Sequence, residues 1–129
     1  MNPTRSKVVI QDTQREPVIN VAAQLLGVLG HDVALVDSPE SAVTAASQAK
    51  TDLVVLSVKD ADEQESHLER IALLPRSERP RQVAILSEAE TESTTLRRTD
   101  LPDVKVHVFV KPVHALGLLS VIKRMAGTN

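Results

Sequence analysis

Five polar side chains stand where four apolar runs end, and together they could form a reactive pocket. Gln11-Asp12 closes the run Val8-Val9-Ile10, Ser57 follows Leu53-Val54-Val55-Leu56, Ser87 follows Val83-Ala84-Ile85-Leu86, and Lys111-Pro112 follows Val108-Phe109-Val110. Ligand and reaction sites of open α/β sheets lie at the carboxyl ends of the strands. A Lys111 ammonium meeting the Asp12 carboxylate there would give a permanently satisfied pocket. Ser57 and Ser87 invite a nucleophilic reading. Neither has a base tied to it by motif, and the chain has no G-x-S-x-G elbow. His31, His67, His107 and His114 fall on different elements without metal-ligand spacing, and read as surface or boundary residues. No phosphate-binding glycine motif is present, so nucleotide binding has little support.

The elements that must position these residues alternate. Short β-branched or apolar runs predict strands over 7–11, 32–36, 52–58, 81–87 and 104–110. Val18, Val21, Ala22, Leu25, Leu26 and Leu29 predict a helix over 17–29, with one apolar stripe. Gly30 lies just past it, where a helix end favours positive φ. Ser38 caps a second helix with Pro39 in its first position, running to about residue 49. A third helix is predicted over 60–74, stopped by Pro75. The charged segment 76–81 reads as a solvated loop. A fourth helix over 90–98 is polar all round apart from Leu96. The last, over 113–125, places Leu116, Leu119, Val121 and Ile122 on its apolar side. Strict alternation of five strands and five helices implies a parallel sheet covered on both faces.

Composition bounds what such a sheet can do. The 129 residues fit one domain, 1–129, with residues 1–6 and those after Met125 fraying. Hydrophobic residues make up 42%, enough for a core. Phe109 is the only aromatic residue, so the core must be Val, Leu, Ile and Ala, and no stacking platform for single strands exists. The net charge of −2, with both signs interspersed, argues against direct nucleic-acid binding or a membrane-surface face. No cysteine is present, which excludes disulfides and thiolate metal sites. No apolar run is long enough to insert into a membrane, and no signal region follows Met1, so a cytoplasmic location is expected.

In order and spacing the chain resembles a bacterial response-regulator receiver domain, the phosphorylated switch of two-component signal transduction. Leu29-Gly30-His31-Asp32-Val33 resembles the family's lead into its second strand, and Asp52 stands five residues before Ser57 as the family's acid does. Gln11-Asp12 falls on the adjacent acids that hold magnesium, so one acid remains. Ser57 falls on the phospho-acceptor, which in the family is an aspartate. Ser87 matches the switch Ser/Thr, and Lys111-Pro112 matches the pair whose lysine holds the phosphoryl group, with a cis bond. Val108 stands at the switch aromatic. The loop after the acceptor, Val58-Lys59-Asp60-Ala61-Asp62, lacks the family's glycine.

The resemblance implies an α/β flavodoxin-like fold, a doubly wound five-stranded parallel sheet in the order 2-1-3-4-5. The departures imply a pseudo-receiver. Magnesium takes several oxygen ligands, usually including carboxylates, and Asp12 alone supplies too little charge. No metal, no cofactor and no enzymatic activity are therefore expected. The expected function is a phosphorylation-independent regulatory module that binds a protein partner. The family's output face would comprise the fourth helix, fifth strand and fifth helix, with Arg97, Arg98, His107, His114 and Lys123 as contact candidates and a homodimer as one arrangement. Two other readings stay open: a regulator controlled by a small ligand or noncanonical phosphorylation at the strand ends, and an enzyme on a flavodoxin-like scaffold.

Overall fold

A computed structural model describes residues 7–12, 16–48, 51–88, 94–96, 98–110 and 115–125. In chain order the elements are β1 Lys7–Gln11, α1 Pro17–Val28, β2 Asp32–Val36, α2 Pro39–Gln48, β3 Leu53–Val58, α3 Ala61–Ala72, β4 Gln82–Ser87, β5 Thr94–Leu96, β6 Lys105–Val110 and α4 Ala115–Met125. The sheet order is β2-β1-β3-β4-β6-β5. Its five parallel strands, β2-β1-β3-β4-β6, are the expected 2-1-3-4-5 arrangement.

Strand alternation builds two cores. Val8, Ile10, Leu53, Val55, Ala84, Leu86 and Phe109 face Ile19, Ala22 and Leu26 of α1 and Leu118 and Ile122 of α4. The intervening residues Val9, Val54, Leu56, Val83, Ile85 and Val106 face Ala42 and Ala46 of α2 and Leu68 and Ile71 of α3. Each central strand is thus apolar on both sides, which is why it reads as a continuous run. Truncating one of these fully buried Leu or Ile side chains to Ala costs about 2–5 kcal/mol.

Local signals set the helix ends. Ser38 Oγ accepts from the Ser41 backbone N–H at 3.0 Å, ahead of Pro39. Gly30 adopts φ +99°, which a side chain would strain. Asp60 caps α3 by accepting from the Glu63 N–H at 2.9 Å. Asp52 ties β3 to β1, accepting from the Lys7 N–H at 2.9 Å.

Three expectations are corrected. No helix occupies 94–96: these residues form β5, antiparallel to β6 with Thr94 beside Val108 and Leu96 beside Val106. A segment polar all round has no stripe to bury, so a helix gains nothing from packing. Its two threonines favour an edge strand. The apolar stripe of α1 is also rotated. Ile19, Ala22, Ala23 and Leu26 are buried, while Val21 is 44% exposed. This helix is apolar on more than one side, and both stripes fit a 3.6-residue period. Likewise α4 buries Leu118 and Ile122 and leaves Leu116 70% exposed.

Candidate functional site

The strand ends bring Gln11, Asp12 and Ser57 together. β1 and β3 pair in parallel up to Ile10 beside Val55. Continuing that register sets Asp12 level with Ser57. Gln11 is buried and turns its amide across the gap, so that Gln11 Oε1 accepts from the Ser57 backbone N–H at 2.9 Å. The Ser57 Oγ is buried and has no hydrogen-bond partner among the described residues. Ser57 lies beside Leu86, and the next residue, Val58, lies beside Ser87, which is buried at the end of β4. Lys111, Pro112 and His114 lie outside the described residues, and with them the expected Lys111–Asp12 pairing and the cis bond.

Asp12 has a local task. Its Oδ1 accepts from the Glu16 N–H at 2.9 Å, at the start of α1, and its own N–H donates to the Val36 carbonyl at 2.7 Å. Glu16, the residue preceding α1, makes no side-chain cap of its own. Asp12 therefore ties the end of β1 to the start of α1 and to β2.

The donor set does not fit a magnesium ion. Among the described residues it comprises one carboxylate already accepting a backbone hydrogen bond, one amide oxygen turned to Ser57, and one neutral hydroxyl. Magnesium at such sites is held by carboxylates in near-octahedral geometry. Asp60, the nearest replacement acid in sequence, is spent on its cap.

A cleft of about 540 Å³ opens beside this site, lined by Asp12, Asn20, Leu35, Val36, Asp37 and Ser41. It lies at the ends of β1 and β2, between the first turns of α1 and α2. Sequence reasoning missed it. The polar run Asp37-Ser38 after the second strand was the available signal.

The expected contact face is altered. Arg98 donates through Nε and Nη2 to both oxygens of Asp100 at 2.9 and 2.8 Å, and through Nη1 to Glu65 at 2.6 Å. Its side chain is 16% exposed. These hydrogen bonds hold Glu65 and Asp100 below the usual carboxylate range and raise Arg98. Arg98 thus clamps α3 to the turn that carries Asp100. Arg97 lies outside the described residues. His107 is half-buried and stacks on Phe109, with ring centroids 4.5 Å apart. Val108, at the switch position, is 4% exposed within the α2/α3-side core. Lys123 is exposed on α4, as are Leu116 and, at the end of β6, Val110.

Two more readings of the sequence are corrected. The 76–81 segment is not simply a solvated loop. Arg79 reaches back to the end of α3, donating to the Ala72 and Leu74 carbonyls at 2.7 and 3.1 Å and to Asp103 at 2.9 Å. It satisfies acceptors that a helix end leaves open. His67 is not a surface or boundary residue but is 5% exposed. It shares the inner side of α3 with Leu68 and Ile71.

No protein-family model matches the chain, and no curated protein does. Solved structures do. The chain is similar to a CheY-like response regulator receiver domain from Methylobacillus flagellatus, with TM-score 0.65 and 16% identity over 95% of this chain and 99% of that one. It is similar to the receiver domain of the hybrid histidine kinase CckA, with TM-score 0.61 and 20% identity over 94% and 99%. It is similar also to the N-terminal domain of a response regulator/sensory box/GGDEF protein from Carboxydothermus hydrogenoformans, with TM-score 0.63 and 14% identity over 94% of each chain. The fold is the flavodoxin-like one of CheY-type receivers. At these identities the likeness establishes the fold alone.

Proposed function

We propose that this chain is a receiver-like protein-interaction module that works without phosphorylation. One observation carries the reading. The segment that would present a phospho-acceptor is tied to a neutral amide, Gln11, and its side chain is a buried hydroxyl that makes no hydrogen bond to a base among the described residues. Phosphoryl transfer relies on positioning and on neutralising charge, usually with a metal. A serine hydroxyl cannot form the acyl phosphate of an aspartate. Val108 fits the same reading, since a buried β-branched side chain is stiff at χ1 and too small to gate a surface by swinging. The module would present the β6–α4 face, with Val110, Leu116 and Lys123 toward solvent, to a protein partner or a second copy.

The test is incubation with acetyl phosphate and magnesium, read by intact mass. No phosphoryl gain is expected, and Ser57→Asp alone leaves the mass unchanged because the second metal acid is still missing. A gain of one phosphoryl group that vanishes on replacing Asp12, Asp60 or Asp62 overturns the proposal.

A second reading, control by a small ligand at the strand ends, is favoured by the cleft beside Asp12. Amide shifts of residues 87–112 on adding magnesium with beryllofluoride separate the two. The interaction module leaves them in place, whereas a ligand-controlled switch moves them.

A further inference from the structure

His67 is a buried polar group that the strand-end site does not use. Both of its ring nitrogens lack a hydrogen-bond partner among the described residues. The nearest carboxylate oxygen, Glu63 Oε1 one turn earlier, is 3.7 Å from Nε2, too long for a hydrogen bond. One turn later Arg70 crosses to Glu40 of α2 and donates a hydrogen bond to it, joining the two helices. Beneath α3 the sheet presents Val54, Leu56 and Val58 to this side of the core. Among the described residues the charged groups around the ring are Glu63 and Arg70 on α3 and Glu40 on α2.

We propose that His67 is a proton-operated latch on the α2–α3 face, closed when the imidazole is neutral and released when it is charged. A neutral ring tolerates the apolar floor, though it forgoes its hydrogen bonds there. A charged ring does not tolerate it, because an ion loses far more on leaving water than a neutral polar group. The cation would also sit one turn from the Arg70 guanidinium. It gains by closing the 3.7 Å gap to the Glu63 carboxylate, which draws the ring from the apolar side of α3 toward the half-exposed Glu63. The geometry thus couples one proton to the packing of α3, the helix that follows Ser57 directly.

Desolvation holds the His67 pKa below the ordinary histidine value of 6.5, and Glu63 only partly offsets it. The group binds fewer protons folded than unfolded between its two pKa values. Stability from the neutral ring is therefore complete above pH 6.5 and is lost as the pH falls through the lower folded value. Each unit of depression corresponds to about a tenfold shift of the closed-to-open ratio.

The test is NMR titration of the full chain between about pH 7.5 and 5, following the His67 ring and the amides of 39–48 and 61–72. The ring should titrate below the same histidine in the urea-unfolded chain. The α2 and α3 amides should follow its midpoint, and α3 exchange protection, corrected for intrinsic chemistry, should fall about tenfold per unit of depression. Glu63→Gln should lower the midpoint further, and His67→Gln should abolish the transition. If the latter does not fold, the wild-type and Glu63→Gln titrations still decide. A midpoint equal to the unfolded one, α2 and α3 amides that ignore the ring, or a transition that survives His67→Gln would each overturn the latch.

Discussion

The carboxyl ends of β1 and β3 and the outer flank of α3 treat charge in opposite ways. At the strand ends the link between β1 and β3 is neutral, from a backbone N–H to the Gln11 amide oxygen. Asp12, the carboxylate that follows β1, is turned to the Glu16 backbone. Along α3, guanidinium groups carry the contacts. Arg79 binds two carbonyls and Asp103 at one end, and Arg98 binds Asp100 and Glu65 further along. Charge-assisted hydrogen bonds are roughly twice as strong as neutral ones. Among the described residues the guanidinium contacts hold the scaffold around α3, whereas β1 and β3 are linked at their ends by a neutral amide hydrogen bond.

Arg79→Ala should have the largest effect on this contrast. The side chain is mostly buried, has three acceptors, and leaves two carbonyls unpaired when removed. A loss of about 2–3 kcal/mol in urea unfolding is expected. Arg79→Lys should recover less than half, since an ammonium cannot reproduce the planar fork. A loss below about 0.5 kcal/mol would place Arg79 with ordinary surface pairs and dissolve the contrast.

Gln11→Leu should cost less, about 1–2 kcal/mol, by leaving the Ser57 N–H without its acceptor. The loss should be insensitive to salt, because no net charge is involved, whereas Arg98→Ala should lose more at low salt than at high. Equal salt dependence of the two would mean that the strand ends still carry charge.

How much of this was readable in advance follows from the range of each interaction. The five parallel strands were legible because each is a short run apolar on both faces, bounded by turn residues. Ser38, Pro39 and Gly30 were legible because capping is local. The α1 stripe was not, since Val18-Val21-Leu25 and Ile19-Ala22-Ala23-Leu26 satisfy the same period and only the sheet beneath chooses. β5 was not, because its pairing partner lies in β6, ten or more residues on. Gln11 and Ser57 drew notice through the resemblance, but the bond between them did not. The Gln11–Ser57 bond spans 46 residues. Arg79 looked like one cation in a charged loop because its acceptors are backbone carbonyls, which no side-chain pattern reveals. His67 did carry a signal: it stands one turn before Ile71 and beside Leu68, on the stripe that the helix buries.

Ser57→Ala should have the smallest effect and is the sharpest probe of the strand ends. The hydroxyl is buried without a partner among the described residues, and a buried unpaired hydroxyl costs about 1–3 kcal/mol. Alanine removes that cost, keeps the backbone N–H that Gln11 accepts, and leaves a void of one oxygen atom. The sum should be neutral to slightly stabilising, by up to about 1 kcal/mol. Since Gln11 holds the main chain and not the hydroxyl, Ser57→Ala and Gln11→Leu should add to within about 0.5 kcal/mol. A destabilisation above about 1 kcal/mol, or a larger coupling, would mean that the hydroxyl is hydrogen-bonded in solution. In that case position 57 is part of a working polar network, and the neutral β1–β3 link is no longer the passive counterpart of the charged flank.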